Sequence, residues 1–135
     1  MKLIDGAIIP NVGISNIYLG ISRETLISNI GLDFKTRLID SGCIIEIDNA
    51  KFWIDKMDTI YQISVFGDFN GKLFNCIGIN SSLEDVLKNI GKYKYEPYCY
   101  TLLNYPGICF ELEDVDNWCE LKTPIEFISV FKIKS

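Results

Sequence analysis

The chain has 135 residues, 48% of them hydrophobic, with 13 basic against 18 acidic side chains, no histidine and a pI near 4.7. That length and composition describe one domain able to bury a real core, and they exclude a disordered chain. The net charge of −5 argues against nucleic-acid binding, which needs a basic patch to displace phosphate counterions, and suits a basic protein partner.

In the opening segment MKLIDGAIIP, Asp5 and Pro10 interrupt the apolar run, so no signal peptide is expected. Residues 6–22 carry no charge, but their glycines, asparagines and serines make them too polar to span a bilayer. The expectation is a cytoplasmic protein with no membrane partner.

A helix is predicted from SRETLISNIG (22–31), with Ser22 as N-cap, Leu26, Ile27 and Ile30 as the apolar stripe, and Gly31 as the stop. Asp40-Ser41-Gly42 then reads as a turn into CIIEI (43–47), whose Cys43, Ile45 and Ile47 share a face opposite Glu46. A strand over 60–66 closes this half. Asn70-Gly71 is a strong hairpin signal, predicting that this strand pairs with KLFNCIGI (72–79).

The order then repeats. SLEDVLKNIG (82–91) matches 22–31 and predicts a second helix, with Ser81 or Ser82 as N-cap, a Ser81–Glu84 capping box, and Val86, Leu87 and Ile90 inward. At an offset of 65, residues 36–66 align without a gap on 101–131, identical at ten of the 31 positions, including Trp53/Trp118 and both copies of Ile-Ser-Val-Phe (63–66 and 128–131). This predicts one α+β domain, 1–135, built from two related halves, about 13–70 and 71–135. Each half is a helix plus antiparallel strands. Together they form a twisted antiparallel sheet with two helices on one face and the other face partly open. Residues that both copies keep, the tryptophans included, are expected in the core.

The residues peculiar to the second half carry the functional expectation. Five extra residues fall in KYKYEPYCY (92–100), where Tyr93, Tyr95 and Tyr98 offer large contact areas at low entropic cost; the alternative is a strand whose rings cover the core. The stretch ELEDVDNWCE (111–120) adds Glu113, Asp114, Asp116 and Glu120. It reads as a solvated acidic loop, as a protein contact or, least of all, as a metal site, since the spacing lacks the glycine-centred loop of an EF-hand.

Catalysis finds little support. The missing histidine removes Ser-His-Asp and Cys-His schemes, and no glycine-rich phosphate loop is present. The five scattered cysteines lack a C-x-x-C pair and read as reduced, mostly buried thiols, not metal ligands. No cofactor, metal or enzymatic activity is expected.

Residues 13–31 resemble the opening of a loose group of small bacterial proteins found as immunity proteins of polymorphic and contact-dependent growth-inhibition toxin systems. Gly13, Ile14, Ile17, Leu19, Gly20, Ser22, Glu24 and Leu26 fit that pattern; Gly78, Ser82, Glu84 and Val86 repeat it in part. The motif is also similar to the helix-and-sheet repeat of beta-lactamase inhibitor proteins. The resemblance implies a protein that binds a cognate toxin C-terminal domain, and the acidity suits a basic nuclease. The alternative is a small-ligand or peptide-binding module.

Overall fold

The computed structural model describes residues 1–133, which form two short helices and eleven strands in two antiparallel sheets, an α+β arrangement. The smaller sheet comes first: β1 (Ile8–Ile9), β2 (Gly13–Ile14) and β3 (Ile17–Tyr18). Asn11 and Ser15 take positive φ in the links between them, and Ile8, Ile14 and Ile17 enter the core.

Helix α1 (Arg23–Ile30) begins at Ser22, whose hydroxyl accepts the Thr25 amide at 3.1 Å, and ends at Gly31 with φ +84. Leu26 and Ile30 are buried. Helix α2 (Leu83–Asn89) has a different box from the one expected. Ser82 accepts the Asp85 amide while the Asp85 carboxylate accepts the Ser82 amide. Ser81 instead accepts the Gly78 amide, and Glu84 pairs with Lys122 at 2.7 Å. The start at Ser82 turns Leu83 and Val86 inward and leaves Leu87 exposed.

The large sheet takes four strands from each side of the chain: β4 (Lys35–Ile39), β5 (Gly42–Ile47), β6 (Ala50–Asp55) and β7 (Ile60–Val65), then β8 (Tyr93–Glu96), β9 (Cys99–Leu102), β10 (Ile108–Leu112) and β11 (Ile125–Phe131). Their order is β4-β5-β6-β7-β11-β10-β9-β8. Alternation sets the faces as expected for β5, where Cys43, Ile45 and Ile47 are buried in the core. Gly42 begins β5 because a Cβ there would lie 1.9 Å from the Ile54 carbonyl oxygen.

At the middle of the sheet the two Ile-Ser-Val-Phe segments lie antiparallel. Ser64 faces Ser129, Ile63 faces Val130 and Val65 faces Ile128, so each copy meets the other about a local two-fold. The two serine hydroxyls are hydrogen-bonded at 2.5 Å and buried.

One core cluster holds Leu26 and Ile30 of α1, Leu83 and Val86 of α2, and the inward residues of β5 to β7 and β9 to β11. Ile44, on the other face, is buried but lies outside that cluster. The same face carries the half-buried Glu46, Lys51, Trp53, Gln62, Phe66, Glu111 and Phe127. Lys51 places its ammonium 5.6 Å from the centroids of both Phe66 and Phe127.

Three expectations are corrected. Asn70-Gly71 does not turn β7 into a partner strand, because β11 occupies that edge. Gly71 serves a close approach instead: a Cβ would fall 2.0 Å from the Gly6 carbonyl oxygen. The tryptophans do not plug the core: Trp53 is half-buried on the sheet face opposite the cluster, and Trp118 is 49% exposed. The thiols are not mostly buried either, since Cys43 is buried, Cys76, Cys99 and Cys109 are half-buried and Cys119 is exposed.

Candidate functional site

The inserted segment 92–100 folds into the β8–β9 hairpin at one edge of the sheet, with Pro97 and Tyr98 at its turn. Proline followed by a residue at positive φ is the arrangement of a type II turn, whose second central position favours glycine. Here it is Tyr98, at φ +73 and 89% exposed. A bulky side chain pays steric strain for this conformation, and the result is an aromatic ring projecting from the hairpin tip.

Strand alternation sends Tyr93 and Tyr95 to the same side as Tyr100. Tyr100 meets both rings nearly edge-on, at centroid distances of 5.6 and 5.4 Å. Tyr100 is buried, Tyr93 is half-buried and Tyr95 is exposed, so the cluster runs from the core out to the surface. Tyr100 covers the core, as the alternative reading of this segment expects, while Tyr95 and Tyr98 remain at the surface.

The acidic stretch runs alongside. After β10 the chain leaves the sheet at residue 113 and returns at Ile125, through a loop closed by a Glu113 amide to Pro124 carbonyl bond of 2.9 Å. Within it the Thr123 hydroxyl accepts the Cys119 amide at 2.6 Å. The Lys122–Glu84 pair ties the loop to α2. Glu120 accepts the Tyr93 hydroxyl at 2.8 Å and the Tyr100 hydroxyl at 3.4 Å, bracing the hairpin against the loop. Burial first, and then this carboxylate, push the Tyr93 phenol up to about 12, so it stays a neutral donor.

Between hairpin and loop lies a shallow, open depression of about 440 Å³, lined by Tyr95, Tyr98, Tyr100, Leu112, Glu113, Asp114 and Trp118. Of the residues expected at the site, Tyr95, Tyr98, Glu113 and Asp114 line it, and Tyr93 and Glu120 brace it from behind. Asp116 is exposed on the loop and does not line it. Trp118 and Leu112 are additions. Trp118 was expected in the core because it matches Trp53 in the sequence repeat. The only hint was its position within the acidic stretch.

The chemistry on offer is recognition by aromatic faces and carboxylates. The thiols of Cys99 and Cys109 are not activated: burial raises both above the ordinary thiol range. Among the described residues, no group of three or more His, Cys, Asp or Glu side chains is arranged to hold a metal ion. No helix there is long and apolar enough to cross a membrane.

No protein-family profile matches the chain, and no curated protein matches it. Among solved structures, the crystal structure of the uncharacterized protein yfeY from Escherichia coli superposes with a TM-score of 0.55 at 10% sequence identity, covering 96% of this chain and 99% of that one. At that identity the likeness is one of fold.

Proposed function

We propose that this chain is a non-catalytic immunity protein that binds and neutralises a cognate toxin domain, a basic nuclease, by covering its active site. The observation that carries the reading is the gathering of Tyr95, Tyr98 and Trp118 with Glu113 and Asp114 on one surface. Exposed aromatics beside acids make a protein hot spot with the charge to steer a basic partner. The net charge of −5 and the resemblance of residues 13–31 to immunity proteins support the toxin as that partner. A toxin gene is expected beside this one, and co-expression with that toxin should restore growth and yield a stable co-purified complex; neighbouring genes that encode no toxin count against the reading. A toxin equally lethal with and without this protein refutes the reading.

We also infer that the halves, about 13–70 and 71–135, are related copies with both helices on one face of the sheet. Pairing of the two Ile-Ser-Val-Phe segments about Ser64 and Ser129 supports the first point; sharing of one core cluster by α1 and α2 supports the second.

One observation favours a second reading, a small-ligand or peptide module. The Thr101 hydroxyl is buried without a hydrogen-bond partner among the described residues, at a depression it lines with Lys94, Glu96 and Phe131. Native mass spectrometry of the purified protein tests this: a retained metabolite supports it, and a mass equal to the bare chain counts against it.

A further inference from the structure

We propose that the depression between the β8–β9 hairpin and the 113–124 loop is an aromatic cage for a cationic side chain, an arginine presented by the protein partner. The proposal deepens the immunity reading and rests on it for the identity of that partner.

Three observations combine. First, four of the seven lining residues are aromatic: Tyr95 is 65% exposed, Tyr98 89% and Trp118 49%, while Tyr100 is buried. Ring faces carry partial negative charge and attract a cation near their centroids, tryptophan most strongly. Second, the same depression holds the carboxylates of Glu113 and Asp114. Third, the cations nearby are engaged elsewhere, Lys94 with Glu96 and Lys122 with Glu84. Among the described residues, no ammonium or guanidinium lies within salt-bridge distance of Glu113 or Asp114.

A site with aromatic walls, two carboxylates and no cation of its own is complementary to an organic cation. Arginine suits it better than lysine. Its planar guanidinium stacks on rings and forks onto a carboxylate at the same time, and it gives up its hydration more readily. Glu120 is a positioning residue, because its oxygens already hold the Tyr93 and Tyr100 hydroxyls. Tyr98, at positive φ on the hairpin turn, supplies the most exposed ring of the lining.

The test uses the full chain and a short arginine-glycine peptide, with the same peptide carrying citrulline as a neutral match in shape. Binding is followed through the tryptophan indole N–H resonances. The arginine peptide should shift the Trp118 signal and leave that of Trp53 in place, and citrulline should bind at least tenfold more weakly, roughly what loss of the charge implies. Trp118→Ala, and separately the pair Glu113→Gln with Asp114→Asn, should each weaken the arginine peptide about three- to fivefold. All these positions lie on the surface loop, and an unchanged thermal melt checks the fold.

No binding of the arginine peptide, equal binding of the citrulline peptide, or indifference to both sets of substitutions overturns the cage. Tighter binding of tetramethylammonium than of the arginine peptide also overturns it, by pointing to a free ligand. A toxin that binds without moving the Trp118 signal sinks the cage and leaves the immunity reading intact. Arginine binding with no toxin neutralised does the reverse.

Discussion

The two halves of the large sheet contribute four strands each, but they reach that number differently. In the first half β4 to β7 follow one another as a continuous meander, with Ala50, Phe52 and Ile54 of β6 sending alternate side chains into the core. At the offset of 65 the second half has Val115, Asn117 and Cys119 in those places, all exposed on a loop. Its fourth strand is β8, added at the far edge of the sheet. AKFWID alternates apolar with other residues, whereas VDNWCE puts Asp116 and Asn117 where a strand would need ladder residues. Where alternation survives, the chain stays in the sheet. Where it fails, the chain leaves, and aromatic and acidic side chains are delivered to the surface.

The contrast can be broken at aligned positions. The largest effect is expected at Phe52, fully buried, against its counterpart Asn117, exposed. Phe52→Ala should cost about 3–5 kcal/mol in urea unfolding, while Asn117→Ala should stay within about 0.5 kcal/mol. Equal losses at both would mean that the 113–124 loop is as structural as β6.

Next come the aligned acids Asp55 and Glu120. Asp55 accepts the Met57 and Thr59 amides and the Thr59 hydroxyl in the β6–β7 turn. The Thr59 amide, as the largest cause, holds its carboxyl below the usual range against the opposing effect of burial. A lowered folded pKa gives stability that is present above the unfolded value, near 4, and is lost as pH falls through the folded value. Asp55→Asn should therefore cost about 1–2 kcal/mol at neutral pH, with the gap from wild type closing in acid. Glu120→Gln should cost no more than about 0.5 kcal/mol. Unfolding midpoints measured from neutral pH down to pH 3 check both.

The last effect has the opposite sign. Tyr98→Gly removes a bulky residue from positive φ and should stabilise the fold by about 1 kcal/mol, while reducing affinity for the partner. Thermal melts and binding titrations on the same sample test whether stability and recognition part company at this turn.

Much of the frame was legible from local pattern. Period-two alternation placed Cys43, Ile45 and Ile47 on the core face, and serine and glycine marked both ends of α1. The strands β1 to β3 were not legible, because two residues show no period. The reading of Asn70-Gly71 as a hairpin failed because a turn signal says nothing about which strand claims the neighbouring edge, and β11, distant in sequence, claimed it. Trp118 was misplaced because a matching residue type says nothing of the backbone, which at 118 lies on a loop outside the sheet. At the depression, Tyr95 and Tyr98 come from the five-residue surplus of the second half and Glu113 and Asp114 from the acidic stretch, both singled out in the sequence. Their meeting across hairpin and loop depends on β9 and β10 lying side by side, a tertiary fact with no local signature.

The pairing of β7 with β11 also bears on the order of assembly. Sheet neighbours β7 and β11 are separated by some sixty residues, so the middle of the sheet closes late, and non-local closure of this kind slows folding. Until residues 125–131 arrive, β7 offers an unsatisfied edge, and such edges recruit other chains. Substitutions that weaken β11, the last described strand, should therefore show first as aggregation during synthesis, before any loss in the stability of molecules that have already folded.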